Sequence, residues 1–170
     1  MAQSIEAGRR AALLAAGVAT LANQAQAQGQ PQGGGDLSRQ TPIDLVVELG
    51  DASGAHLFRP DVIQLRTGLL YRLILRNPSR APHYFTSDGL ANSVWTRKAQ
   101  IVAEPAGAPP RVMAEIKGAI REIEVYPGFA AEWWFVPVQA GSFDDLRCGI
   151  RDPDGRTHTE HGMRGRVIIA

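Results

Sequence analysis

The stretch LLYRLILRN, residues 69–77, shows the alternation on which the predicted fold rests. In an extended strand successive side chains point to opposite faces, so every second residue shares a face. One face of this stretch carries Leu69, Tyr71, Leu73 and Leu75. The opposite face includes Arg72 and Arg76. The pattern therefore predicts a β-strand that buries its apolar face and leaves the other face in water.

Short apolar runs separated by turn residues continue on both sides of this strand, from residue 43 to the end of the chain. Strands are predicted over residues 43–50, roughly 55–65, 69–77, 83–87, the neighbourhood of 112–117, 121–128, 131–138, 143–149 and 164–170. One short helix is predicted within residues 88–100, where Asp88 is a possible N-cap and Leu90, Val94 and Trp95 share a face. Strands at this spacing are typical of an all-β sandwich or barrel.

The N-terminus has the three parts of a signal peptide. Arg9 and Arg10 precede an apolar run of about a dozen residues, and Ala25-Gln26-Ala27 follows as a small-residue cleavage site. The run is shorter than the roughly 20 residues that span a bilayer, so residues 1–27 are predicted to be removed without leaving a stable membrane anchor. The general and the twin-arginine export routes both remain open. Residues 28–42, rich in Gly, Gln and Pro, are predicted to be a flexible linker before a domain over residues 43–170.

Length, charge and cysteine content exclude several classes of protein. A chain of 170 residues suits one domain. Its formal charge of +1 falls to zero when removal of residues 1–27 takes away two arginines and one glutamate, so the basic field required for nucleic-acid binding is missing. The chain has one cysteine, which excludes an intramolecular disulfide. That cysteine is therefore a small core residue, a reactive thiol or a metal ligand.

The stretch CGIRDPDGRTHTEHGM, residues 148–163, concentrates metal-binding side chains near the C-terminus. It contains the single cysteine, two of the four histidines and a methionine. Thiolate, imidazole and thioether groups are the soft and borderline ligands that copper prefers. A polar loop that merely faces water would have a similar composition. An earlier histidine, His83, lies just after the strand over residues 69–77, at a sheet end where site residues are often found.

Three stretches, taken in chain order, resemble a known protein family: residues 58–85, residues 124–143 and the stretch that begins at Cys148. Together they resemble the cupredoxin family, the small blue-copper β-sandwich proteins, over residues 43–170. The resemblance implies a Greek-key β-sandwich with one short helix and a C-terminal metal-ligand loop. It also implies one copper ion, as Cu(I) or Cu(II), and the ligands His83, Cys148, His158 and Met163. A chain of this kind would be a single-electron carrier and not an enzyme, periplasmic or secreted, with redox proteins of unknown identity as partners.

The chain departs from the family pattern between the cysteine and the second histidine. Nine residues separate Cys148 from His158, and RDPDGRT reads as an inserted polar turn that closes on itself and bulges into solvent. His158 is the favoured ligand because four residues separate it from Met163, as in the family's loop end. His161 is the alternative and is otherwise expected to be a solvent-exposed neighbour. His56 shows no partner in the sequence.

Three other functions use the same residues. A periplasmic copper carrier or chaperone would bind the metal through the same ligands and transfer it instead of an electron. A metal-free structural sandwich would follow if the insert has disrupted the site. A cysteine hydrolase would pair Cys148 with His83 or His158, but no oxyanion-forming glycine turn or helix start follows the cysteine.

Overall fold

The computed structural model describes Asp36, residues 39–103 and residues 107–170. The predicted signal peptide, residues 1–27, lies outside the described residues, as does most of the predicted linker. Within the described ranges no helix has the length and apolar character needed to cross a lipid bilayer.

The described residues form eleven strands and one short helix. In chain order they are β1 (Ile43–Leu49), β2 (Phe58–Arg59), β3 (Val62–Leu65), β4 (Tyr71–Arg76), β5 (His83–Thr86), α1 (Asp88–Ser93), β6 (Val94–Ala103), β7 (Arg111–Ile116), β8 (Glu122–Val125), β9 (Phe129–Pro137), β10 (Gly141–Arg147) and β11 (Arg164–Ile169). The prediction of an all-β protein with one short helix is confirmed.

Two sheets form a sandwich. The first has the strand order β2-β1-β4-β9-β6-β7, and the second has the order β3-β11-β10-β5-β8. The pairs β1–β4 and β3–β11 are parallel, and the other neighbours are antiparallel. A contiguous apolar core draws on both sheets. Its largest fully buried side chains include Trp133, Phe85 and Phe135.

Strand β4 buries the face that its sequence predicts, but the opposite face is not fully in water, because Ile74 on it is also buried. It pairs with β1 on one side and β9 on the other, so it lies inside the first sheet. Tyr71, Leu73 and Leu75 are buried, whereas Arg76 is exposed. The buried face packs into the core that holds Trp133.

The helix prediction was wrong in its length and its N-cap. Helix α1 ends at Ser93, and Val94 begins the ten-residue strand β6, which pairs with β9 and β7. Backbone pairing with β9 overrides the weak helical spacing, and Trp95 is 49% exposed instead of lying on a buried helix face. The N-cap is Ser87, whose hydroxyl accepts a hydrogen bond from the N–H of Leu90.

The strand connections bring the candidate ligands together. His83 is the first residue of β5, Cys148 directly follows β10, and Met163 directly precedes β11. Strands β5 and β11 both pair with β10 in the second sheet. Side chains far apart in sequence therefore lie near each other at the ends of neighbouring strands.

Candidate metal centre

Three donor atoms converge in the interior. The Nδ1 atoms of His83 and His158 lie 3.0 Å apart, and Cys148 Sγ lies 3.3 Å from His158 Nδ1 and 4.0 Å from His83 Nδ1. All three residues are at least 99% buried. We refer to these three donors as the thiol site.

A chain of buried hydrogen bonds fixes the ring of His83. The Asn77 amide donates to the carbonyls of Ala81 and Val125, at 2.8 and 2.7 Å, and its Oδ1 accepts from the Ser79 hydroxyl at 2.7 Å. Because a hydroxyl has only one proton, Ser79 Oγ then accepts at 2.9 Å from His83 Nε2–H. This tautomer, inferred from the network, leaves His83 Nδ1 unprotonated and directed at the thiol site.

The inserted turn fixes the ring of His158. The insert closes on itself as predicted. Arg151 and Thr157 form an isolated antiparallel β-bridge, and the N–H of Asp152 donates to the Arg156 carbonyl at 2.8 Å. It is not a detached excursion into solvent, because the Asp152 carboxylate turns back and lies 3.2 Å from His158 Nε2. Donation from Nε2 to that carboxylate leaves His158 Nδ1 unprotonated as well.

Backbone groups hold Cys148. Its sulfur accepts the N–H of Tyr84 at 3.2 Å, a contact between β5 and the end of β10. Its own N–H and carbonyl both bind the Thr159 hydroxyl, at 3.1 and 2.6 Å. The loop that carries His158 is therefore tied directly to the cysteine backbone.

Met163 is fully buried in the core, and its N–H donates to the His158 carbonyl at 2.9 Å. This bond closes the loop between the second histidine and strand β11. The place of Met163 as a fourth ligand remains a prediction, supported by its burial and its position in the chain.

The thiol site fits a metal ion by two tests. Ligands held about 2.0–2.3 Å from one ion are separated by roughly 3 to 4 Å, which is the spacing of the three donors. With the two tautomers inferred from these networks, the unprotonated Nδ1 atoms of His83 and His158 face each other at 3.0 Å. A cation between such lone pairs would remove their mutual repulsion, so the site is preorganised for a metal.

Burial keeps the site uncharged. Burial, reinforced by the nearby His158 and His56, lowers the pKa of His83 from 6.5 to about 4. Burial also lowers the pKa of His158, whereas its contact with Asp152 acts in the opposite direction. Burial raises the pKa of the Cys148 thiol, against hydrogen bonds from the N–H groups of Tyr84 and Ile150. Metal binding must therefore displace the thiol proton.

Acid should destabilise the metal-free protein through His83. The pKa of His83 is about 4 when folded and 6.5 as the ordinary value, so the unfolded chain binds the proton more tightly. The contribution of this group to stability is full above pH 6.5 and is lost as the pH falls toward 4, with an upper limit of about 3 kcal/mol. Urea unfolding of the metal-free protein at several pH values measures this loss. His83→Gln, which cannot titrate, should flatten the curve between pH 6.5 and 4.5; equal slopes would contradict the assignment.

The expectation that His56 has no partner was wrong. His56, His83 and His158 each place one ring nitrogen here, and these three nitrogens lie within 4.8 Å of one another. The ring of His56 stacks on that of His158, with centroids 3.9 Å apart and an interplanar angle of 23°, and its Nε2 lies 3.0 Å from Asp152 Oδ2. Because lone pairs lie in the ring planes, two stacked rings do not direct their nitrogens at one point. His56 therefore covers His158 instead of completing the thiol site. No local motif near residue 56 signals this long-range contact.

His161 is half-buried, not simply solvent-exposed as expected. Its Nε2 lies 3.1 Å from Asp154 Oδ2 and 3.5 Å from Asp152 Oδ2, on the insert. Its contacts are with these two carboxylates, whereas His158 supplies the nitrogen that meets Cys148 Sγ.

Comparisons with known proteins give likenesses of structure only. No model of a protein family matches the chain, and no curated protein matches it. A solved structure of a multicopper oxidase from Campylobacter jejuni, described as a metallo-oxidase, is similar with a TM-score of 0.51 and 15% identity over 76% of this chain. The chain spans 30% of that oxidase.

Smaller solved structures are also similar. Reduced auracyanin from the photosynthetic bacterium Roseiflexus castenholzii matches with a TM-score of 0.42 and 16% identity, over 77% of this chain and 99% of auracyanin. Pseudoazurin from Hyphomicrobium denitrificans matches with a TM-score of 0.36 and 18% identity, over 75% of this chain and 76% of pseudoazurin. At such identities the likeness concerns the fold alone.

Proposed function

We propose that this chain, whose fold is the cupredoxin β-sandwich, binds one copper ion at the thiol site and carries single electrons. The observation that supports the proposal is the convergence of one buried sulfur and two buried imidazole nitrogens at 3.0–4.0 Å. A thiolate and two imidazoles, with a weak thioether as the fourth group, are the ligand set of blue-copper electron-transfer sites.

Each residue has a distinct role in this proposal. Cys148 is the main covalent ligand, His83 and His158 supply the nitrogens, and Met163 supplies the weak fourth contact. When bound, copper would supply exchange of one electron between Cu(I) and Cu(II). Ser79 and Asp152 hold the two imidazole rings in their ligating tautomers.

Burial favours an electron carrier over a copper carrier. His83, Cys148, His158 and Met163 are each at least 99% buried, and hydrogen bonds hold His83, Cys148 and His158. Release of a metal to another protein requires ligands that an incoming group can reach, whereas electron transfer requires only a fixed site inside a rigid scaffold. The likeness to an oxidase is one of fold, so it does not argue for an enzyme.

We further propose that the protein is exported to the periplasm or secreted, where redox proteins exchange electrons with it. Support comes from the paired arginines, short apolar run and Ala25-Gln26-Ala27 of the N-terminal sequence. Protein purified from its native envelope should begin at or near Gln28. Recovery of chains that retain residues 1–27 would count against export with cleavage.

Titration of the reduced protein with Cu(II), followed by visible absorption and paramagnetic resonance, tests the proposal directly. We expect one equivalent to bind with an intense thiolate-to-copper band. Tight but colourless binding of Cu(I), without a stable coloured Cu(II) form, would favour the copper carrier. Failure to bind either ion would leave a metal-free structural sandwich.

Copper binding should respond very differently to replacement of His158 and of His161 by alanine. His158→Ala should weaken copper binding by more than about tenfold and alter the visible band, because it removes the nitrogen 3.3 Å from Cys148 Sγ. His161→Ala should leave the band in place, since its Nε2 faces carboxylates. Copper affinity and absorption of the two variants give the comparison. If His161→Ala destroys the band and His158→Ala spares it, the ligand assignment is reversed.

A further inference from the structure

A second group of histidine and aspartate side chains lies beside the thiol site. It consists of His56, Asp152, Asp154 and His161, which we call the rim cluster. Asp152 Oδ2 lies 3.0 Å from His56 Nε2 and 3.5 Å from His161 Nε2, and His161 Nε2 lies 3.1 Å from Asp154 Oδ2. The exposed fractions of these side chains run from 20% for His56 to 49% for Asp154, so ions in solvent can reach the carboxylates.

Two ring nitrogens of the rim cluster, His56 Nδ1 and His161 Nε2, are buried without a hydrogen bond. His161 Nε2 is shielded from solvent and makes no hydrogen bond of acceptable geometry, although two carboxylate oxygens lie within 3.5 Å. A buried imidazole nitrogen without a hydrogen bond is costly. A cation held by the nitrogen and the carboxylates would satisfy all three groups.

Neighbouring donors of the rim cluster are spaced like ligands of one ion. Ligands about 2.0–2.2 Å from a metal, at angles between about 90° and 120°, are separated by roughly 2.8 to 3.8 Å. The separations between neighbouring donors fall in that range: 3.0 Å from His56 to Asp152, 3.5 Å from Asp152 to His161 and 3.1 Å from His161 to Asp154. Two carboxylates supply a charge of −2, which balances a divalent ion, and two imidazoles favour a transition metal over Mg²⁺ or Ca²⁺.

We propose that His56, Asp152, Asp154 and His161 form a second site, for a divalent transition-metal ion of the zinc type. The site has no thiolate and is distinct from the thiol site. The two sites share Asp152: its Oδ2 faces His56 and His161, while its Oδ1 lies 3.2 Å from His158 Nε2. The inserted turn, which supplies both carboxylates, is therefore a ligand loop in its own right.

Zn(II) is the probe, and Cys148→Ser is the background that removes the sulfur donor from the thiol site. Calorimetric titration of Cys148→Ser with Zn(II) should show one bound equivalent. Adding His161→Ala should weaken this binding by more than about tenfold. Asp154→Asn should also weaken it, while keeping the Asp154 Oδ1 acceptor for the Arg156 N–H. Asp144→Asn, at a carboxylate on β10 whose partner is Arg166, is the matched control and should leave Zn(II) binding unchanged.

Nuclear magnetic resonance identifies the ligands independently of affinity. Zn(II) should shift the imidazole protons of His56 and His161 in the Cys148→Ser protein. Absence of Zn(II) binding, or equal binding after His161→Ala and Asp154→Asn in folded variants, would overturn the second site. These results do not depend on copper, so failure of the thiol site as a copper centre and failure of the rim cluster are distinguishable.

Discussion

Cys148→Ser should abolish the intense visible absorption of the copper-loaded protein. Cys148 supplies the sulfur at the thiol site, so its loss removes the donor of the thiolate-to-copper band. Serine is close to cysteine in size, and its oxygen can still accept the Tyr84 N–H, so the sandwich should remain folded. Absorption and paramagnetic-resonance spectra after addition of one equivalent of Cu(II) measure the effect.

Met163→Leu is the matched control for this substitution. Both residues are fully buried, but a thioether is a weak ligand, so Met163→Leu should retain copper and the band while shifting the potential or colour. An unchanged band in Cys148→Ser would remove the cysteine from the site. Loss of copper in Met163→Leu alone would give the methionine a larger role than a weak axial ligand has.

Gly50→Ala should damage the thiol site without altering any donor. Gly50 follows β1 with φ of +71°, and a Cβ atom there would lie 2.5 Å from His83 Nε2 and 2.9 Å from Ser79 Cβ. The added methyl therefore strains the backbone and drives the His83 ring away from the Ser79 hydroxyl that orients it. We expect a loss of about 1–2 kcal/mol from the left-handed backbone plus about 1–3 kcal/mol from overpacking. Copper affinity should fall by about tenfold or more.

Gly54→Ala is the control that separates backbone strain from the contact with His83. Gly54 also has a positive φ, +92°, but a Cβ there meets nothing within 4 Å. This variant should carry the backbone cost alone and bind copper like the parent. Urea unfolding measures the stability of both variants, and Cu(II) titration measures the affinity. Equal copper affinity in the two variants would show that contact with Gly50 does not position His83.

The strands were largely predictable from alternation and turn residues. In β4 the period of two identifies the buried face because one side of the sheet meets the core and the other meets water. Strand β6 was missed because its start shares a segment with α1, where Leu90, Val94 and Trp95 imitate a helical face. The hydrogen bonds that decide the matter come from β7 and β9, which local spacing does not reveal.

The candidate site was predictable only in part. The order and residue types of His83, Cys148, His158 and Met163 indicated a metal centre. The approach of His83 to Cys148 and His158, however, depends on strand pairing across more than 60 residues. The approach of His56 and the return of the Asp152 carboxylate leave no local pattern, since each depends on how distant loops pack. The prediction that the insert closes on itself was correct for its backbone. The contact of its Asp152 carboxylate with His158 was not predicted.

The facing lone pairs of His83 and His158 imply a compromise between stability and function. A fold that brings unprotonated donors together before an ion arrives gives up stability that apolar side chains in the same space would provide. An ion that binds only the native state adds stability by mass action, about 4 kcal/mol when its free concentration is 1,000 times its dissociation constant. The melting temperature of this chain would then report the supply of its ion, and copies that fail to acquire one would be the first to unfold and be degraded.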